Sequence, residues 1–148
     1  MLTAPDLQGK RFAVYGLART GLSVLRFLQR SGAIAIAWDE AEAARTAAQA
    51  LLPAIQLQDL AAIDLAGLDG LVVSPGVPLN RHPLAARARD AGVPILGDME
   101  LFQRTRATLP PHRLWGHRIA LFLRADNTLY ESVGSRAVTF SYFDLYAP

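Results

Sequence analysis

The residues with the clearest chemical use are Gly16-Leu17-Ala18-Arg19-Thr20-Gly21, Asp39 and Ser74-Pro75-Gly76. The first group approximates the pattern G-x-G-x-x-G, with Ala18 in the middle position. Its outer glycines, Gly16 and Gly21, permit a tight turn and close packing of a helix on a strand. A helix that starts in this turn offers free backbone N–H groups to an anion. Thr20 is placed to cap that helix or to donate to a phosphate, and Arg19 adds positive charge. The middle alanine narrows the space for a dinucleotide pyrophosphate, which argues mildly against NAD. Asp39 follows at about the distance of an acid that reads a ribose. A plainer alternative stays open: the glycines make only a turn, Asp39 caps the next helix, and Ser74-Pro75-Gly76 is a simple turn.

These residues need elements to hold them. "RFAVYG" is a short apolar run closed by glycine and reads as a buried strand. "TGLSVLRFLQRSG" reads as a helix, with Leu22, Leu25 and Leu28 on one face, Val24 and Phe27 widening the stripe, and Gly32 as its stop. "AIAIAWD" is a second strand, apolar throughout, as a parallel sheet requires. "EAEAARTAAQALL" is an alanine-rich helix ended by Pro53. "LDGLVVSPG" repeats the strand-then-turn pattern. "HPLAARARDAG" predicts a short helix with Pro83 in its first turn and Gly92 after its last; His82 is its starting residue. "VPILGD" is another strand, and Asp98 caps a helix over "MELFQRTR", whose first turn Glu100 supports through the dipole. Strands alternating with helices predict an α/β fold, a Rossmann-like parallel sheet with helices on both faces. Ligands of such sheets bind beyond the carboxyl ends of the strands, where all three residue groups fall.

Composition narrows the partners. The chain has 148 residues, 51% of them hydrophobic, and a net charge of +2. It lacks cysteine, which removes disulfides, thiolate metal sites and cysteine nucleophiles. His82, His112 and His117 form no metal-ligand spacing, so no metal site is expected. Lys10 is the single lysine. The arginines (Arg11, Arg19, Arg26, Arg30, Arg45, Arg81, Arg87 and Arg89 among them) are scattered and read as solvated helix faces, so no nucleic-acid partner is expected. No apolar run is long enough to span a bilayer and "MLTAPDLQGK" has no signal-like apolar stretch. A soluble cytoplasmic protein without a membrane partner is the expectation.

Three segments, "VYGLARTGLSVLRFL", "LVVSPGVPLNRHPL" and "GVPILGDMELF", stand in an informative order and spacing. Together they resemble the N-terminal domain of a Mur ligase, of the members that add D-glutamate to UDP-N-acetylmuramoyl-L-alanine in peptidoglycan synthesis. The resemblance covers about residues 5–112. It implies a domain over 1–112 that holds the UDP part of that substrate. It places Gly16, Ala18, Arg19, Thr20 and Gly21 at the diphosphate or sugar, Asp39 near the uracil or ribose, and Ser74 and Gly76 along the same cleft.

The family continues into an ATP-binding loop of the form G-[ST]-[NG]-G-K-[ST]. This chain instead runs "WGHRIALFLRADNTLYESVGSRAVTFSYFDLYAP" after "LPPHRL". Lys10 precedes the first strand, so no lysine is available for that loop or for the carbamylated lysine that helps the family hold metal. ATP and magnesium therefore belong to the full family enzyme. This chain is expected to hold no cofactor, to carry no catalytic residue and to be no ligase on its own. Residues 113–148 read as a tail foreign to the family, rich in aromatics, with "RIALFLRA" and "AVTFSYFDLY" strand-like and "VGSR" a turn. Lower local order is expected there than in residues 8–106. Two other functions fit the same glycine turn and acid: an NAD(P)- or nucleotide-sensing module, and a folded remnant that binds nothing.

Overall fold

The computed structural model describes residues 3–79 and 82–105, together with three short strands at 121–123, 129–131 and 139–140. The first strand, β1 (Arg11–Tyr15), sets the architecture. Its side chains alternate between two apolar clusters: Phe12 and Val14 in one, Ala13 and Tyr15 in the other. A strand buried on both faces needs cover on both, which is the logic of a parallel sheet.

That sheet has the order β3-β2-β1-β4-β5, with every pair parallel. β2 (Ile34–Trp38) and β4 (Gly70–Val73) flank β1, while β3 (Gln56–Leu57) and β5 (Ile95–Leu96) form the edges. This is the predicted Rossmann-like arrangement. The two-residue β3 has no counterpart in the sequence reading, because a pair of residues carries no readable periodicity.

α1 (Arg19–Arg30) packs Val24, Leu25, Phe27 and Leu28 onto the Phe12–Val14 face, and α4 (Asp98–Thr105) adds Leu101 and Phe102 there. Leu25 and Leu28 are fully buried, each contributing about 1.5–3 kcal/mol relative to exposure. Leu22, expected on the buried stripe, lies at its edge and is half-buried; Gly21 and Ser23 are buried in its stead. α2 (Glu42–Leu51) sends Ala48 into the same cluster. Gly32, at φ +74, supplies the left-handed turn that ends α1 and starts the path to β2.

The other face is covered by α3 (Pro83–Asp90), through Leu84 and Ala88, and by the non-helical residues 58–69. Leu60, Leu65 and Leu68 bury that segment. Asp59 and Asp64 shape it by accepting the N–H of Ala61 and Ala66, two residues on. Arg87 reaches back from α3 and donates to the carbonyls of Leu60 and Ile63. Arg87 is thus a structural clamp and not a solvated helix residue.

β6 (Leu121–Leu123), β7 (Leu129–Glu131) and β8 (Thr139–Phe140) pair antiparallel in that order. β6 falls within "RIALFLRA" and β8 within "AVTFSYFDLY". The boundary expected at 112 and the turn expected at "VGSR" lie outside the described residues. Among the described residues, no helix is long and apolar enough to cross a membrane.

Candidate functional site

Strand order reverses at β1, whose neighbours lead one way to β2 and the other way to β4. In open parallel sheets the usual ligand crevice lies outside the carboxyl ends of the strands at such a switch point, here the ends of β1 and β4. Gly16 leaves β1 and Ser74 leaves β4 at this point. Ser74 Oγ donates to the Gly16 carbonyl at 2.9 Å, and both residues are buried.

The glycine turn is sterically fixed. Gly16 has φ +94, and a Cβ there would lie 2.8 Å from Ser74 Cβ. A Cβ on Gly21 would sit 1.8 Å from the Gly16 carbonyl oxygen. The first glycine thus makes the turn, and the second lets α1 approach the strand. Gly76 differs: it is exposed, with open space around its Cα. At this turn Ala18 occupies the N-cap position of α1 with extended backbone and no side-chain cap. Thr20 lies inside the helix, so the capping role open to it falls away. α1 begins at Arg19, and its first-turn N–H groups lack intrahelical acceptors and face the crevice end of the helix. Arg19 is exposed and Thr20 half-buried.

Asp39 joins this turn from the end of β2. One carboxylate oxygen accepts the Leu17 N–H at 2.7 Å, and the other accepts the Ala41 N–H at 2.9 Å. The acid therefore fixes the glycine loop and the approach to α2 together. Its backbone carbonyl takes a bond from Arg45, which also reaches the Glu40 carbonyl and lies 4.4 Å over the Trp38 ring. Arg45, like Arg87, is built into the fold.

The structure adds a group that the sequence reading missed. Tyr15 Oη lies 2.8 Å from Glu40 Oε1 and 2.8 Å from His82 Nε2. His82 is the N-cap of α3, as expected, and its Nδ1 accepts the Leu84 N–H. Burial, and then the carboxylate of Glu40, push the Tyr15 hydroxyl well above its ordinary pKa. A tyrosine closing an otherwise apolar strand, immediately before the glycine turn, was the available signal. Glu100 pairs with Arg104 at 2.9 Å on the surface of α4. Asp98 is the first residue of that helix, and Gly97 supplies the carbonyl that accepts from Leu101, so the cap lies one residue earlier than expected.

The structure thus brings Gly16, Ala18, Arg19, Thr20, Gly21, Asp39 and Ser74 to the carboxyl ends of β1, β2 and β4, and sets Gly76 on the exposed loop after β4. Such an arrangement offers an anion a helix terminus and a guanidinium. Asp39 and Ser74 spend part of their bonding capacity on holding it.

The family model described as Mur ligase MurD-like, N-terminal domain, matches residues 10–97. The UDP-N-acetylmuramoylalanine--D-glutamate ligase of Sphingopyxis alaskensis is 53% identical over 116 residues, covering 78% of this chain and 26% of that protein. The protein of the same name from Novosphingobium aromaticivorans is 50% identical over 116 residues, with the same shares covered. The chain spans about a quarter of the length of these curated relatives. Among solved structures, the apo D-lactate dehydrogenase of Escherichia coli matches with a TM-score of 0.45 and 22% identity, over 69% of this chain and 35% of that one. On the family match over residues 10–97, the chain belongs to the Mur ligase family, in its MurD-like N-terminal domain.

Proposed function

We propose that the crevice between the ends of β1 and β4 binds the uridine diphosphate part of UDP-N-acetylmuramoyl-L-alanine, as the substrate-holding domain of a peptidoglycan-synthesis D-glutamate ligase. The observation that carries this is the Gly16–Gly21 turn, packed so tightly that α1 presents its N-terminus at the switch point. Family membership supplies the ligand class. In this reading, Arg19 and the first-turn N–H groups of α1 balance the diphosphate, with Thr20 donating to it. Asp39 accepts two backbone N–H groups and keeps lone pairs for a ribose hydroxyl or uracil N–H. Ser74 and the backbone at Gly76 line the other wall. The working place is the cytoplasm, where such a nucleotide precursor is made and used.

The family's reaction also needs ATP and magnesium, and the described residues offer no fitting set for either. Lys10, the sole lysine of the sequence, precedes β1 at the end of the strand opposite the glycine turn. Among the described residues, no three His, Asp or Glu side chains converge as a metal site would require. The role proposed for the described residues is binding of the substrate.

Calorimetric titration of the chain with UDP-N-acetylmuramoyl-L-alanine, with NADH and ATP as comparison ligands, tests this. Saturable binding of the UDP compound alone is expected. Preference for NADH would turn the crevice into a dinucleotide site. Flat titrations from a folded sample would leave the fold without the function.

A further inference from the structure

Three loops meet at the Tyr15 hydroxyl. Tyr15 ends β1 one residue before Gly16, Glu40 follows Asp39 after β2, and His82 closes the loop that begins at Ser74. The direction of each bond is forced. Nδ1 of His82 accepts the Leu84 N–H, so the ring proton sits on Nε2. Nε2–H must then donate to Tyr15 Oη, and Tyr15 must donate to the Glu40 carboxylate, which can only accept. The chain runs His82 to Tyr15 to Glu40, with every donor used once.

Core packing explains the Tyr15 ring, which is 4% exposed, but not its hydroxyl. A phenylalanine would fill the same space without burying a polar atom that needs partners. Nor does core packing hold the partners: Glu40 is exposed and His82 half-buried. The phenol thus ties two surface loops to the strand that carries the glycine turn.

We propose that Tyr15, with Glu40 and His82, is a positioning residue of the nucleotide crevice: it fixes the Asp39 wall and the Ser74–Gly76 wall at the spacing a nucleoside diphosphate sugar requires. The role rests on the binding function proposed above. It assigns no contact with ligand to Tyr15.

The test uses the full 148-residue chain and the variants Tyr15→Phe, Glu40→Ala and Glu40→Gln. Affinity for UDP-N-acetylmuramoyl-L-alanine is measured by calorimetry. Amide hydrogen exchange at residues 39–41 and 74–79 is measured without ligand, and the His82 tautomer by imidazole nitrogen NMR. Tyr15→Phe and Glu40→Ala are expected to weaken binding about ten-fold, the equivalent of one lost hydrogen bond. Both should speed exchange in the two segments and leave the β1 and β4 amides protected, and Tyr15→Phe should release the Nε2–H tautomer. Glu40→Gln keeps an acceptor oxygen and should recover most of the affinity. Glu40→Ala changes an exposed side chain, so folding does not limit the test. Lowered thermal stability with unchanged affinity and exchange would overturn the proposal. A wild-type chain that binds nothing, while Tyr15→Phe still loosens both segments, would sink the nucleotide function and keep the positioning. Wild-type binding that no variant disturbs would sink the positioning alone.

Discussion

Ser74 and Gly16, 58 residues apart, are joined by a buried 2.9 Å hydrogen bond from hydroxyl to carbonyl that bridges the ends of two adjacent parallel strands. The bond ties the loop after β4 to the glycine turn. Ser74→Ala should cost about 1–2 kcal/mol by leaving the Gly16 carbonyl without that donor. Gly21→Ala should cost more than the roughly 1–3 kcal/mol of ordinary overpacking, since its Cβ would meet backbone and not a flexible side chain. Gly76→Ala meets nothing within 4 Å and should stay within about 0.5 kcal/mol of wild type. Urea denaturation of the three variants checks this order.

Asp39 and Thr20 should separate stability from binding. Both Asp39 oxygens hold backbone N–H groups, so Asp39→Ala should lower stability by about 1–3 kcal/mol as well as weaken any nucleotide bound. Thr20 makes no side-chain cap on α1, so Thr20→Ala should leave stability nearly unchanged and weaken UDP-ligand binding by about 1–2 kcal/mol. Paired denaturation and calorimetry on both variants measure the split. Unchanged affinity in both would remove these residues from ligand contact.

The sequence made the sheet legible because its signals were local. Each buried strand was a short apolar run stopped by glycine, aspartate or serine, and Gly32 and Gly92 ended helices at positive φ as their positions implied. What escaped depended on contacts distant in sequence. The covering segment 58–69 has no period and is held by Arg87 from more than twenty residues away. Tyr15 read as core because its ring is core; only the fold reveals that its hydroxyl meets residues 25 and 67 positions on. The candidate crevice was legible as a set of residues. That Asp39 holds the Leu17 N–H and Ser74 the Gly16 carbonyl was not, since the same residue types can serve ligand and backbone alike.

Tyr15 should leave a mark on the alkaline limb of stability. Burial and the neighbouring Glu40 raise its folded pKa above the unfolded value of about 10. The neutral phenol's stabilisation is therefore fully present below that value. It is lost as pH rises beyond it, because the unfolded chain ionises Tyr15 first. In a spectrophotometric titration, one of the four tyrosines should resist ionisation until the chain unfolds. Tyr15→Phe should abolish that late phase and flatten the loss of stability above pH 10. A wild-type titration in which all tyrosines ionise together in the folded state would contradict this.

Arg87 should govern the cover of the second face. Its guanidinium donates to the carbonyls of Leu60 and Ile63, pinning the middle of a segment that forms no helix or strand and whose backbone is tied to the sheet at its ends, from Gln58 to the Ala37 carbonyl and from Asp69 to the Arg11 carbonyl. Arg87→Ala would leave two half-buried carbonyls to find water and should cost about 2–3 kcal/mol, within the range for charge-assisted bonds. Arg87→Lys should recover less than half of that, because one ammonium on a flexible stem cannot reproduce a planar fork on two carbonyls. The effect should be local before it is global. Residues 58–68 should exchange amide protons faster in Arg87→Ala while the amides of α1 and α4, on the opposite face, keep their protection. Hydrogen exchange followed by mass spectrometry reads this directly, and equal loosening on both faces would show that Arg87 acts on the whole fold and not on its cover.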